Sequence, residues 1–210
     1  MDATGIIVIL IFVVTIVSAS TGGNIGFPGD STEQRVPIHT NVNVEKIPES
    51  SFVAVSGENV EDQISDFIVK YTSKGSRKVS YWTASMMASS MVRHGGRYDV
   101  NPKLICALIA RESAFNSKAV SSSGAMGLGQ LLPTTADALK VTNAFDPDQN
   151  IKGTTRYVSF LLDKWKSHPH QVPLTLASYA EGHNGIRRKG GYTMQSKRYV
   201  EDIIRLYWKI

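Results

Sequence analysis

Downstream of residue 60, hydrophobic residues recur three and four positions apart, which is the spacing of one face of an α-helix. The first two such segments contain Ile64, Phe67, Ile68 and Tyr71, followed by Trp82, Met86, Met87 and Met91. A methionine stripe at this spacing is typical of a protein core, so we expect both segments to be buried. The alternation typical of strands is weak. The pattern therefore predicts a mainly α-helical domain.

The clearest helix begins beside Asn101. Asn is a preferred N-cap residue, and Pro102 stands at the favoured first helical position. Its apolar face consists of Leu104, Ile105, Leu108 and Ile109. The pattern predicts further helices at 134–139, 151–166, 173–179 and 196–207. Gly- and Ser-rich turns separate them.

The first twenty residues differ from the rest. Residues 6–17 form an apolar run, with Thr15 as its one polar residue, that ends in small residues as in a signal peptide. No basic residue precedes the run. A full membrane span needs about 20 apolar residues, so the run is short for one. We predict a signal peptide or membrane anchor at 1–20, a Gly- and Pro-rich flexible linker at 21–60 and the helical domain at 61–210. The missing basic start favours an anchor.

The net charge of +5 is unevenly distributed. Residues 1–60 carry two basic and six acidic side chains, whereas residues 61–210 carry 21 and 12, a balance of +9. A basic domain suits an acidic polymer, either nucleic acid or the bacterial wall. No RNP-like run, zinc-finger spacing or basic helix with interleaved aromatic residues is present, which disfavours nucleic acid. Cys106 is the single cysteine and lies in an apolar helix, so we interpret it as a small core residue.

Glu112 is the candidate catalytic carboxyl. It lies near the end of the apolar helix, where burial raises the pKa of a carboxyl toward the range that a general acid needs at neutral pH. A Glu at a helix end is more often solvated, so this position alone is weak evidence. Gly124, Gly127 and Gly129 follow, and they permit a tight backbone that fixes Gln130 close to a ligand.

Four segments carry a family resemblance. They read NPKLICALIARESAFN at 101–116, SGAMGLGQLLPTTA at 123–136, FDPDQNIKGTTRY at 145–157 and LASYAEGHNG at 176–185. In this order and spacing they resemble the soluble lytic transglycosylase (SLT) family. The resemblance covers about residues 80–207 and implies a lysozyme-like, goose-type helical domain with a substrate cleft.

The resemblance also assigns site residues. It makes Glu112 the catalytic acid and base, with Ser113 as its neighbour in the Glu-Ser pair. Gln130 corresponds to the substrate-contacting Gln of a Gly-Leu-Met-Gln loop, and Met126 falls on the same loop, which shapes the sugar cleft. Tyr179 corresponds to the Tyr of a Tyr-Asn-Ala-Gly motif that approaches the catalytic carboxyl.

Some positions depart from the family pattern. Gly129 stands where Met usually precedes the Gln, and Ala180 and Glu181 replace the Asn and the small residue after the Tyr. We interpret Glu181 as a solvated loop charge, with a local role for it or for His183 as the alternative. Asn150 matches the Asn that opens the next helix.

The reaction implied by the resemblance is cleavage of the β-1,4 bond between N-acetylmuramic acid and N-acetylglucosamine of peptidoglycan, with formation of 1,6-anhydromuramyl ends. Neither a cofactor nor a metal is expected, since His168-Pro169-His170 lacks the further ligands of a metal site. One alternative is hydrolysis, as in goose-type lysozymes, with a second carboxylate as partner. The candidates for that partner are Asp99, Asp146 and Glu181. Another alternative is a wall-binding assembly module without activity.

The expected partners are peptidoglycan strands and a membrane contacted through the N-terminal segment. We expect a periplasmic or membrane-anchored domain that faces the cell wall. Such a domain suits local wall opening for a secretion machine, or the virion membrane of a bacteriophage that breaches the wall during entry. Whether the enzyme cuts within strands or from their ends stays open at this point.

Overall fold

The computed structural model describes residues 58–210, so the predicted anchor and the predicted linker up to residue 57 lie outside the described residues. Within this range the chain forms eight helices: α1 (Glu58–Thr72), α2 (Tyr81–Tyr98), α3 (Pro102–Ser113), α4 (Pro133–Ala138), α5 (Pro147–Lys164), α6 (Gln171–Glu181), α7 (His183–Lys189) and α8 (Met194–Tyr207). The only extended pairing among these residues is a pair of isolated bridges on either side of Met126. The prediction of a mainly α fold is confirmed.

The helix starts follow local capping chemistry. Asn101 Oδ1 accepts a hydrogen bond from the Lys103 amide at 2.9 Å, so α3 begins where predicted. α5 begins four residues earlier than predicted, because Asp146 caps it by accepting from the Gln149 amide at 2.9 Å. α7 was not predicted, since its seven residues carry no apolar period.

α3 is the centre of the fold. It packs against α1, α2, α5 and α8, and its residues 104–110 are all buried. A helix that is apolar on every side is stable only when neighbours surround it. Cys106 is fully buried and unpaired in α3, as predicted, and burial raises the pKa of its thiol.

α2 buries one face and exposes another. Ala84, Met87, Ala88 and Met91 lie in the core. Trp82 and Met86 were expected in the core as well, but this expectation is wrong, since 74% and 60% of their surfaces are exposed. The reason is that α1, α3 and α5 leave the opposite side of α2 uncovered.

A polar contact fixes the start of α5 against α2. One carboxylate oxygen of Asp148 accepts from Ser90 Oγ at 2.6 Å and from the Arg93 guanidinium, and lies 3.0 Å from His94 Nε2. The donors outweigh the effect of burial and lower the pKa of Asp148.

No helix within residues 58–210 has both the length and the hydropathy needed to cross a bilayer.

Two methionines of α2 provide a matched test of this packing. Met91→Ala removes a fully buried side chain and should lower the free energy of unfolding by about 2–5 kcal/mol. Met86→Ala changes an exposed side chain and should alter it by less than about 0.5 kcal/mol. Urea denaturation of both variants measures the difference, and equal losses would contradict the assigned face of α2.

Candidate active site

Glu112 occupies the last turn of α3. The helix ends immediately after it, because Ala114 and Phe115 have positive φ angles of 49° and 61°. Phe115 is buried and packs edge-on against Phe67 and Tyr71 of α1, which holds this turn in place. The carboxyl of Glu112 is therefore presented at the edge of the core from a rigid support.

Tyr199 of α8 donates a short hydrogen bond from its hydroxyl to Glu112 Oε1. Burial raises the pKa of Glu112 to about 7, and the Tyr199 hydrogen bond and the Arg111 charge oppose this rise. The Arg111 guanidinium lies 5.4 Å from the centre of the Tyr199 ring and 3.3 Å from Asp202. At neutral pH a substantial fraction of Glu112 therefore carries the proton that a general acid needs.

Tyr199 was not among the site residues predicted from the sequence. Its only signal was the predicted helix at 196–207, where Tyr199, Ile203 and Tyr207 recur every four residues as a core face does. Nothing in that pattern distinguishes a tyrosine that contacts a carboxyl from one that only packs.

At two glycines of the loop between α3 and α4, a side chain would overlap neighbouring atoms. At Gly127 φ is +74°, and an added Cβ would lie 2.0 Å from the Ala144 carbonyl oxygen. At Gly129 an added Cβ would lie 2.0 Å from Thr154 Oγ1 on α5. The departure from the family pattern at Gly129 thus lets the loop approach α5 more closely than a side chain would allow.

Asn150, fully buried in the first turn of α5, clamps this loop. Its Oδ1 accepts from the Gly129 amide at 2.7 Å. Its Nδ2 donates to the carbonyls of Ala144 at 2.8 Å and Met126 at 3.1 Å. Three segments of the chain are held together by one side-chain amide, a role that the sequence position alone did not indicate.

Tyr179 of α6 reaches the same loop. Its hydroxyl donates to the Gly129 carbonyl at 2.7 Å, and its ring lies 5.3 Å from that of Tyr157. Burial and then the charge of Glu112 raise the pKa of Tyr179 well above its ordinary value. The structure thus brings Glu112, the loop and Tyr179 into one site.

Of the other three predicted site residues, Gln130 and Ser113 donate to the protein's own backbone, whereas the Met126 side chain is only half-buried. Gln130 is buried, and its Nε2 donates to the carbonyls of Gly127 at 2.9 Å and Ala119 at 3.3 Å. Ser113 is buried and donates back to the Ile109 carbonyl at 3.4 Å. Met126 is half-buried, and its backbone pairs with Leu131 on the loop.

Glu181 is not a solvated loop charge, contrary to our interpretation of the sequence. Its side chain is 17% exposed, with Oε2 3.4 Å from Lys189 Nζ. Its Oε1 accepts from Thr193 Oγ1 at 2.9 Å, and Thr193 is the N-cap of α8. Glu181 therefore joins the end of α6 to the start of the helix that carries Tyr199. His183 packs against Trp165, with ring centroids 5.0 Å apart.

The three residues considered as a second catalytic carboxylate lie at the ends of helices. Asp99 is the left-handed C-cap of α2, Asp146 is the N-cap of α5, and Glu181 is bonded to Thr193. Residues 58–210 contain no group of three or more metal-binding side chains that could hold an ion. The rings of His168 and His170 lie 5.8 Å apart.

Comparison with known proteins identifies the class. Residues 90–201 match the model of the transglycosylase SLT domain. The chain is 40% identical over 88 residues to a transglycosylase of Enterobacteria phage PRD1, covering 42% of this chain and 32% of that protein. It is 33% identical over 118 residues to a membrane-bound lytic murein transglycosylase F of Alkalilimnicola ehrlichii, covering 52% of this chain and 24% of the relative.

Two solved structures share the fold. The inactive mutant of lytic transglycosylase Slt from Pseudomonas aeruginosa matches with a TM-score of 0.51 at 22% identity, over 57% of this chain and 23% of that one. The 70 kDa soluble lytic transglycosylase of Escherichia coli matches with a TM-score of 0.50 at 18% identity, over 71% and 28%. The chain belongs to the SLT transglycosylase family, and the predicted lysozyme-like fold class is confirmed. It spans about a third or less of the length of these relatives.

The raised pKa of Glu112 makes stability depend on pH. The folded state favours the neutral acid, so its contribution is present below pH 4.5 and is lost as the pH rises through about 7. Glu112→Gln, which mimics the neutral acid, should therefore raise the free energy of unfolding by roughly 3 kcal/mol at pH 8 and by under about 1 kcal/mol at pH 5. Denaturant titrations at both pH values measure this, and an equal effect at each would contradict a raised pKa.

Tyr199→Phe tests the hydrogen bond directly. Removal of the donor should raise the pKa of Glu112 further, by roughly one pH unit. The carboxyl chemical shift of Glu112, followed by NMR titration, reports the change. Tyr207→Phe removes a buried hydroxyl from the same helix and serves as the matched control. An unchanged or lowered pKa in Tyr199→Phe would refute the proposed contact.

Proposed function

We propose that this chain is a peptidoglycan lytic transglycosylase, a lyase that cleaves the β-1,4 bond between N-acetylmuramic acid and N-acetylglucosamine. The observation that carries the proposal is Glu112, a buried carboxyl with its pKa raised to about 7, which lies within the residues that match the SLT domain. The names of the relatives, which are lytic murein transglycosylases, support it.

Glu112 supplies both proton transfers. In the neutral form it donates its proton to the glycosidic oxygen, and the bond from that oxygen to C1 of the muramyl residue breaks. The resulting carboxylate accepts the proton of the muramyl 6-hydroxyl while that oxygen bonds to C1. The products are a free 4-hydroxyl on one fragment and a 1,6-anhydro ring on the other, and Glu112 ends protonated as it began. No water is consumed.

The surrounding residues act by position. Tyr199 holds one oxygen of Glu112, which leaves the other oxygen to face the scissile bond. Tyr179 and Asn150 fix the Gly127–Gln130 loop from two sides, as their bonds to Gly129 indicate. We propose that Met126 and the backbone of this loop contact the sugar, whereas Ser113 and Gln130 maintain the shape of the site.

Transglycosylation is favoured over hydrolysis by the state of the other carboxylates. A hydrolase of this type requires a second carboxylate to activate water or to attack the sugar. Asp146 caps α5 and Glu181 is bonded to Thr193, whereas Asp99 precedes the start of α3, about 15 Å along that helix from Glu112. These positions favour Glu112 acting without a second carboxylate. Retention of Glu112 with its raised pKa also disfavours a purely structural wall-binding module.

We further propose that the chain has three parts: a membrane anchor or signal at 1–20, a linker that begins at 21, and a wall-cleaving domain that includes residues 58–210. α1 begins at Glu58, so the domain includes at least three residues of the predicted linker. Relatives named as membrane-bound enzymes, and one from a phage, support a membrane location facing the wall. Peptidoglycan strands are the proposed partner, together with components of a virion or a secretion machine.

Glu112→Gln tests the proposal. The variant should lose at least about 100-fold of its activity in zymography on purified wall, because the amide cannot transfer a proton, and it should still bind wall. Glu201→Gln is the control, since Glu201 only pairs with Lys197 on the surface of α8. Mass spectrometry of the released muropeptides should show ends lighter by one water. Full activity in Glu112→Gln would refute the catalytic assignment, and hydrated ends would indicate hydrolysis.

A further inference from the structure

An exposed apolar and basic surface lies at the turn between α1 and α2. We call it the tip patch, and it consists of Lys74, Arg77, Lys78, Tyr81, Trp82 and Met86. Tyr81, Trp82 and Met86 are 54%, 74% and 60% exposed. The three cations stand in the eight-residue turn that precedes α2, and all are exposed. Large apolar side chains grouped on a surface mark an interaction site.

The stretch of chain that carries the tip patch has charged residues of one sign. Between Asp66 and Asp99 the chain contains six basic residues and no acidic one. Within residues 58–210, no salt bridge involves Lys74, Arg77 or Lys78. The cations therefore offer their charge to an external anion, in the turn that leads into the helix with the exposed Trp82.

We propose that the tip patch binds the surface of a bilayer that contains anionic phospholipid. Trp and Tyr favour the headgroup level of a membrane, where the ring is half in the acyl region and its polar edge meets water. Met86 lies one turn after Trp82 on the same exposed side of α2 and extends the inserted surface. Lys and Arg beside these residues bind lipid phosphates.

The composition of the patch argues against a sugar platform. Carboxylate side chains accept hydrogen bonds, and amide side chains both accept and donate them, which suits sugar hydroxyls. The whole segment from residue 67 to residue 98 contains no Asp, Glu, Asn or Gln. A symmetric contact with a second copy is disfavoured too, because it would bring the three cations of each copy against one another.

The rest of the chain allows this contact. α1 has 15 residues, so the tip patch lies about 21 Å from Glu58, where residues 1–57 join the domain. The 40 residues from 18 to 57 can extend to more than about 100 Å. The proposal deepens the membrane location proposed above but does not depend on the lytic activity.

The contact would also place the active site. Tyr71, in the last turn of α1, donates to the Ala110 carbonyl at 3.2 Å and packs on Phe115 at 5.8 Å. Ala110 and Phe115 flank Glu112, so the tip patch and the catalytic carboxyl share one end of the domain. A tip bound to lipid would hold the site close to the membrane, where it would cut only the nearest glycan strands.

Tryptophan fluorescence of the full chain tests the proposal. The probes are vesicles of phosphatidylcholine with brominated acyl chains, either pure or mixed with phosphatidylglycerol. We expect quenching of tryptophan emission on the mixed vesicles only. Trp82→Phe should abolish this quenching, whereas Trp208→Phe, which changes another exposed tryptophan, should retain it.

A charge variant completes the experiment. Replacement of Lys74, Arg77 and Lys78 by Gln should abolish the quenching. Each cation strengthens binding to an anionic bilayer about fivefold, so the loss of three should weaken it about 100-fold. The matched control replaces Arg187, Arg188 and Arg198, three exposed arginines elsewhere, and should retain it. Cosedimentation with vesicles reports attachment through residues 1–57 separately.

Several results would overturn the inference. The tip patch would be refuted if wild-type protein cosediments while the quenching is the same in Trp82→Phe. A change in Trp82 emission on addition of purified glycan strands, without lipid, would instead indicate a sugar platform. A change in Trp82 emission that depends on protein concentration alone would indicate that the patch binds a second copy of this chain. Failure to cosediment would also refute the membrane location, whereas the Glu112→Gln result would stand.

Discussion

The candidate active site depends on a carboxyl that is removed from water at the end of a buried helix. α3 is surrounded by four other helices, and it ends one turn beyond its most buried residues. Glu112 is placed there, where desolvation favours its neutral form, and Tyr199 supplies a hydrogen bond that limits the effect. Burial raises the pKa of Glu112 and the hydrogen bond lowers it, so the resulting pKa is close to neutrality. A fully solvated Glu would be ionised at neutral pH, and a buried Glu without the donor would stay protonated to a higher pH.

A second constraint is the close approach of a glycine loop to α5. The loop between α3 and α4 has little regular structure, yet its backbone groups are bonded to Asn150 and Tyr179. These bonds require that Gly127 and Gly129 lack side chains, since a Cβ at either position would overlap its neighbours. The loop gains from its contacts with α5 and α6 the rigidity that its own sequence does not provide. The loop is therefore held by side chains of two helices that follow it in the sequence.

The sequence predicted those features that depend on local rules. The helical class, the start of α3 at Asn101 and the burial of Cys106 follow from spacing and capping, which operate within a few residues. The exposure of Trp82 and Met86 could not be predicted, because a hydrophobic stripe does not reveal which side of a helix has neighbours. Tyr199 was missed for a related reason: its contact with Glu112 spans 87 positions. The motifs identified the neighbourhood of the site, and the tertiary packing determined which atoms meet there.

The docking of α1 on the end of α3 has a practical consequence for anyone who wishes to isolate this domain. The family match begins at residue 90, in the middle of α2, and ends at residue 201, within α8. A fragment cut at those limits would lack α1 and would leave Phe115 without the rings of Phe67 and Tyr71. It would also lose Ile203, Ile204 and Tyr207 from the helix that carries Tyr199. The smallest unit fit for expression begins before Glu58 and extends past Tyr207, because homology defines the motifs while packing defines the folding unit.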